Sequence, residues 1–466
     1  MNFLIALTCS LFLRGADLTM ATYVEDWGAT FRYEDGTPGD VFDILQSYGV
    51  NLARLRLYHT PGTPVQVWNS GESKYDRYRT QTFSPRNNWT GYPYACEEDI
   101  LNLAQRAKAH DMAICLSIYL SDYWSGAATQ FIPAAWSGAT TLEALGDSVY
   151  NYVTRVMTHM VEQGTTPEFV SVGNETNYGI LFNKDKSSTF VDYGGHTTRN
   201  GIGNTVYLFN RAYAAIKAVS PTSQVIIHHS YGHAGKIAQC RSFFQQLKNN
   251  GCNFDIVGGS YYPYWASEQG ASDAAQSPTG MLAWAADMEA HINKPVMIME
   301  VGYSWTPYRS TGRNGGNYEG QLHLNGSYYN EASEDGQAAF MHQMHEALSQ
   351  DSNILGYMYW DPILVDQLYP NASWWIKTCW AEKYSSSDSQ WYENGNVVSN
   401  TTLFDYSGYP LKALWSEIAS LADDPGTSTA VENPKPIANS QKQIRDGRLL
   451  IMHEGRCYNA LGVELK

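Results

Sequence analysis

Phe169-Val-Ser-Val-Gly-Asn-Glu175 is a short run rich in apolar, β-branched residues that closes on a carboxylate, and Pro295-Val-Met-Ile-Met-Glu300 repeats the arrangement. A run of this length and composition reads as a buried strand. A carboxylate where such a strand meets its loop is poorly explained by packing, because an unpaired buried charge is costly. Two of them in one chain point to acid/base or nucleophilic chemistry. Outward from these two runs the same signal recurs, giving eight candidate strands at 11–16, 50–57, 112–119, 168–173, 224–228, 254–261, 295–300 and 354–360. Amphipathic helical patterns separate them near 39–48, 97–109, 142–162, 203–219, 236–250, 279–292 and 334–350, and one at 409–421 follows the last strand. Eight rounds of strand and helix predict an α/β fold of the (β/α)8 TIM-barrel type. A doubly wound sheet is the alternative. Its phosphate fingerprint is missing, since the Gly-x-Gly at Gly201 precedes a helix but follows no strand.

The loops after the second, fourth, seventh and eighth strands (about 58–95, 177–200, 301–333 and 361–407) are long and hold many Gly, Trp and Tyr residues. In a barrel they rise at one face, where binding clefts are built. The chain has 466 residues, 43% of them hydrophobic, enough for a sizeable core. Its 13% aromatics, with 14 Trp and 33 Tyr, suit either that core or a groove that stacks flat rings. The formal net charge of −15 and the lack of basic patches argue against a nucleic-acid partner and favour a neutral ligand.

The seven cysteines show no C-x-x-C or C-x-x-H spacing, so no zinc site is expected. Cys240 and Cys252 could pair around the helix between them, but buried free thiols are the expected state. Residues 2–13 are nearly all apolar, like a signal-peptide core, yet no Lys or Arg precedes them. With a strand expected from residue 11, residues 1–10 are too few for a full signal and are read as a truncated signal remnant or a misplaced start, and no other segment has the length and apolarity to span a membrane. A catalytic domain is expected over 11–422 and a Pro/Gly/Ser/Thr linker over 423–440, followed by a short tail over 441–466. The tail carries two alternating runs, Arg448–Met452 and Cys457–Val463. It resembles the short C-terminal tails, ending in a Tyr-Asn-x-x-Gly-type element, of secreted proteins of the Bacteroidetes. A small hairpin is the alternative.

Glycoside cleavage needs two carboxyl groups flanking one bond, about 5–5.5 Å apart in the retaining mechanism. Strands four and seven lie across the barrel mouth from one another, so Glu175 and Glu300 can meet this requirement. Asn174, next to Glu175, can offer its amide to a sugar hydroxyl. Arg54 and Arg56 share one face of strand two by the two-residue period, and either could supply charge to Glu300. Tyr261 or Tyr262 could donate a hydroxyl to it, and Trp360 could floor the site. Each has a plainer alternative: a helix cap or ion pair for the glutamates, a core carboxylate partner for the arginines, and ordinary packing for the Tyr pair and Trp360.

Taken in order, Arg14-Gly-Ala-Asp17, Gly49-Val-Asn-Leu-Ala-Arg-Leu-Arg56, Leu120-Ser-Asp-Tyr-Trp124, Val172-Gly-Asn-Glu-Thr-Asn-Tyr-Gly-Ile-Leu181, Gly259-Ser-Tyr-Tyr-Pro263, Met299-Glu300 and Tyr359-Trp-Asp-Pro362 resemble glycoside hydrolase family 53, the endo-β-1,4-galactanases. The resemblance covers about 11–421. It implies a retaining endo-acting hydrolase of pectic galactan and arabinogalactan, with Glu175 as acid/base and Glu300 as nucleophile. It also implies substrate-binding roles for Arg54, Arg56, Asp122, Trp124, Asn174, His228, Tyr261, Tyr262, Trp360 and Asp361. Another β-glycanase of the same clan, such as a mannanase or exo-galactosidase, and a non-catalytic carbohydrate-binding barrel are the alternatives.

The chain departs from the family pattern at Ser117, Tyr119, Val301 and Asp361, where the family usually has an acid, His, Thr and Glu. These departures bear on sugar and linkage preference. Some bacterial relatives hold calcium after strand seven. The segment here, Arg309-Ser-Thr-Gly-Arg-Asn-Gly-Gly-Asn-Tyr-Glu319, carries two arginines and few carboxylates, so no calcium, other metal or cofactor is expected. A monomeric enzyme is expected, extracellular, periplasmic or at the outer cell surface, with a polysaccharide as its partner.

Overall fold

The computed structural model describes residues 12–26, 29–61, 64–69, 74–80, 94–122, 125–127, 130–181, 201–268, 270–309, 318–319, 332–365 and 399–414, and short strands within 441–465. Eight parallel strands close a barrel: β1 Leu13–Asp17, β2 Leu52–Leu57, β3 Ala113–Ile118, β4 Phe169–Val172, β5 Gln224–His229, β6 Ile256–Tyr261, β7 Val296–Val301 and β8 Ile354–Tyr359. Each pairs with its sequence neighbour, and β1 with β8. Helices Val41–Ser47, Glu97–Ala109, Leu142–Glu162, Ile202–Val219, Ile237–Asn249, Pro278–Ile292 and Glu334–Leu348 fill the first seven crossovers. The architecture is the expected (β/α)8 barrel. Of the expected eighth helix, only its start, Lys412–Leu414, falls within the described residues.

The strands form because both faces are buried, which selects near-continuous apolar runs. Helix starts are set by side-chain caps: Asp40 accepts from the Phe42 amide, Thr141 from Ala144 and Ser333 from Gly336. The outer faces of the strands pack against the helices in one large cluster. The interior holds a smaller one, Leu52, Cys115, Ile226, Ile256, Met297, Met299 and Met358, all fully buried. This plug fills the barrel below the site. It leaves no room at Gly258, where a Cβ would lie 2.6 Å from Met299 Cγ and 2.9 Å from Ile226 Cγ2.

Between β6 and β7 the register slips. Gly259 stands opposite Ile298, but Ser260 stands opposite Glu300. The extra residue, Met299, belongs to the interior plug, so consecutive residues Met299 and Glu300 both serve the inside of the barrel. Bulges commonly re-aim side chains in this way beside active sites.

The loop after β2 carries an antiparallel hairpin, Pro64–Asn69 with Lys74–Thr80, where the sequence reading had loop only. Most of the long loops after β4 and β8 (182–200 and 366–398), the segment 310–317 of the calcium reading, residues 1–11, Trp124 and the expected linker 423–440 lie outside the described residues. Two compact units divide at 418/419. The second holds a four-stranded antiparallel sheet, Gln441–Arg445, Arg448–His453, Arg456–Asn459 and Glu464–Leu465, larger than the small hairpin given as the alternative for this tail. Gln441-Lys-Gln-Ile-Arg445 has one apolar residue, and the last strand is two residues long, so neither gives a strand pattern. Among the described residues no helix is long and apolar enough to cross a membrane.

Candidate active site

The C-terminal ends of β2, β4, β5, β6 and β7 bring one polar cluster together. Arg54 is fully buried on the inner face of β2. Its Nη1 donates to Glu300 Oε1 at 2.7 Å and its Nη2 to Asn174 Oδ1 at 2.8 Å. Nε donates to Ser117 Oγ at 3.1 Å, and Nη2 also reaches the Tyr119 hydroxyl at 3.4 Å. The guanidinium is thus held from several sides, and its fork geometry spans two acceptors at once. Glu300, 5% exposed, also accepts from the Tyr262 hydroxyl at 3.0 Å on Oε2. The Arg54 guanidinium can only donate, and the Tyr262 hydroxyl donates to the other carboxyl oxygen.

Glu175 sits just beyond β4 in a left-handed backbone conformation, φ 51°, on a partly open surface. Leu120 after β3 and Asp361 after β8 share that conformation, with φ of 52° and 47°. Non-glycine residues in this region are strained, and such residues gather at functional sites. Glu175 Oε1 lies 2.8 Å from Ser260 Oγ, and Ser260 Oγ lies 2.8 Å from His228 Nε2. His228 Nδ1 reaches Asn174 Oδ1 at 3.1 Å. A continuous polar chain therefore links the two glutamates through Ser260, His228, Asn174 and Arg54. Burial, with Arg54 and His229 adding to it, pushes His228 well below the usual histidine range, and burial pushes the Tyr262 hydroxyl far up, with Glu300 and Glu175 both contributing.

The matching family model, described as Glycosyl hydrolase family 53, covers residues 13–416. The chain belongs to this family. It is therefore a glycoside hydrolase. The arabinogalactan endo-β-1,4-galactanase of Cellvibrio japonicus is 29% identical over 362 residues, 76% of this chain and 81% of that one. The endo-β-1,4-galactanase of Bacillus subtilis is 26% identical over 420 residues, 86% and 84% of the two chains. The Ignisphaera aggregans GH53 catalytic domain superposes with a TM-score of 0.65 at 24% identity, over 90% of this chain and 98% of that one. A fungal β-1,4-galactanase structure gives 0.60 at 21%, over 88% and 99%. These two structural likenesses speak to the fold.

Within this family 53 barrel the sequence-derived residues separate into groups. Arg54, Asn174, His228 and Tyr262 join the two glutamates. Tyr261 does not: Ser260 and Tyr262 face inward, and the two-residue period turns Tyr261 outward. There it stacks on Phe340 of the Glu334–Leu348 helix, with ring centroids 6.0 Å apart. Arg56 does not reach Glu300 either. It pairs with Asp361, and its Nε lies 3.0 Å from Asp17 Oδ2. Burial pushes the Asp361 carboxyl up to about 7, with Arg56 pulling against it. Asp122 accepts from the backbone amides of Thr60 at 3.2 Å and Ala134 at 2.7 Å, so it pins two loops. Trp360 is 5% exposed and meets Tyr262 edge-on at 6.0 Å.

The departures at Ser117 and Tyr119 bear on Arg54, behind Glu300, and the departure at Asp361 bears on Arg56. Ser260 was missed, although it lies inside the quoted Gly259–Pro263 motif. A lone serine in a strand gives no pattern, and only its inward position opposite Glu300 reveals it. The described cysteines, Cys96, Cys115, Cys240 and Cys252, are free thiols. Among the described residues no group of three or more His, Cys, Asp or Glu side chains is placed to hold a metal ion.

Proposed function

We propose that this family 53 enzyme is an endo-acting, retaining β-1,4-galactanase that cleaves galactan and arabinogalactan side chains of pectin. The observation that carries the reading is the paired setting of the two carboxyl groups. Glu300 is gripped by two donors, Arg54 and Tyr262, and Glu175 touches Ser260, the residue opposite Glu300 in the ladder. In this reading Glu300 attacks the anomeric carbon and forms a glycosyl ester while Glu175 protonates the departing oxygen. Glu175 then takes the proton of the water that releases the sugar. The galactanase names of the Cellvibrio and Bacillus relatives support the substrate. We further propose that the enzyme works as a monomer, outside the cytoplasm, without a metal or other cofactor.

The test is product sizing on purified galactan against mannan. Short galacto-oligosaccharides appearing before galactose are expected. Release of galactose alone from the outset, or turnover on mannan and not on galactan, would overturn the proposal.

A further inference from the structure

The Asn174 amide is fixed at both ends by groups with one hydrogen-bonding sense. Arg54 Nη2, which only donates, lies 2.8 Å from Oδ1, and the Ser125 carbonyl, which only accepts, lies 2.8 Å from Nδ2. His228 Nδ1 faces the same Oδ1, so it must carry a hydrogen. His228 is fully buried and its charged form is strongly disfavoured, so the ring is neutral and holds that one proton. Its Nε2 is then a bare lone pair facing Ser260 Oγ at 2.8 Å. Ser260 has a single hydroxyl hydrogen. Donated to the Glu175 carboxylate 2.8 Å away, it leaves Nε2 without a donor; given to Nε2, it leaves only an oxygen lone pair toward Glu175 Oε1, and a protonated carboxyl is the form of Glu175 that satisfies both contacts.

We propose that Ser260 and His228 are positioning residues that hold the proton on Glu175 between turnovers, through a one-way chain in which Glu175 donates to Ser260, Ser260 to His228, and His228 to Asn174. The proposal rests on the reading of Glu175 as acid/base. When Glu175 gives its proton to the leaving oxygen, the glycosidic C–O bond breaks and the Glu300 ester forms. The Ser260 hydroxyl then turns to the new carboxylate, and Nε2 is left facing an oxygen lone pair. An unsatisfied buried acceptor is unfavourable, so the chain draws Glu175 back to its protonated form when water arrives. The charged and titratable groups facing this chain are Arg54 from β2, His229 and Tyr231 at the end of β5, Tyr262 beyond β6, and Glu300 from β7.

Two readouts test this. In 15N-histidine-labelled protein, with the His228 signal assigned by its loss in His228→Gln, the neutral Nδ1–H tautomer is expected from pH 5 to 8. An Nε2–H tautomer or an imidazolium overturns the proposal. In His228→Phe the serine is free to donate to the carboxylate at all times, so the alkaline limb of the kcat/KM profile should move to lower pH by about one unit. An unmoved or raised limb overturns it. If His228→Phe fails to fold, the tautomer decides alone. Failure of the acid/base reading would appear separately, as full turnover in Glu175→Gln.

Discussion

Glu300 and Glu175 stand at one barrel mouth in opposite chemical settings. Glu300 meets a guanidinium, which can only donate, and a phenol that donates to its other oxygen. Glu175 meets a serine hydroxyl that can either donate or accept, backed by an imidazole that burial keeps neutral. A nucleophile must stay in one charge state, whereas an acid/base must alternate between two. The fixed setting suits the first duty and the rotatable one the second.

The largest expected effect breaks the pair outright. Glu300→Gly and Glu175→Gly should each lower turnover by about 10^4-fold or more. Added azide should rescue both on an activated β-galactoside, with opposite stereochemistry: an α-azide from Glu300→Gly and a β-azide from Glu175→Gly. The same anomer from both variants, read by NMR of the products, would remove the distinction. A smaller effect tests the fixed setting of Glu300. Tyr262→Phe loses a hydrogen bond to a charged group and should lower kcat/KM by about 10- to 100-fold. Tyr261→Phe alters a ring on the helix side and should change it less than about twofold.

The smallest effect sharpens the setting of Glu175, where buried neutral imidazoles collect. Burial lowers His229 to about 3, lowers His233 to about 4 with Lys236 adding to it, and pushes His228 well below its usual value. Each is displaced below its unfolded value of about 6.5. Between those values the unfolded chain binds more protons, so this contribution is complete above about pH 6.5 and is lost as pH falls. Asp361, raised to about 7, contributes the opposite slope, present at low pH and lost as pH rises through about 7. His229→Gln keeps an acceptor for the Tyr231 amide and removes a titrating ring. Denaturant unfolding near pH 5 should then take up about one proton fewer than in the parent; an unchanged slope would exclude His229 from this acid sensitivity.

The barrel was legible because parallel strands buried on both faces leave apolar runs that no loop imitates. All eight strand boundaries fell within two residues of the sequence reading, as for β3, expected at 112–119 and found at Ala113–Ile118. The glutamates were legible because a charge at the end of such a run has few structural excuses. What stayed hidden depended on partners distant in sequence. Arg56 pairs with Asp361, 305 residues away, and nothing in β2 distinguishes it from Arg54. Ser260 became informative only beside His228 and Glu175. The choice between Tyr261 and Tyr262 required knowing which parity of β6 faces inward.

The slip opposite Gly259 and Ser260 also divides β7 into two alternations. Below it, Met297 and Met299 obey the two-residue beat of the packed interior. Above it, the beat restarts on Glu300. Side-chain volume in the plug can therefore drift, through Met, Ile or Leu exchanges, without turning Glu300. Removing one residue from β7 would shift that phase and carry Glu300 toward the helices. The position of Glu300 is thus set by counting residues along a backbone, and insertions or deletions there threaten it more than substitutions do.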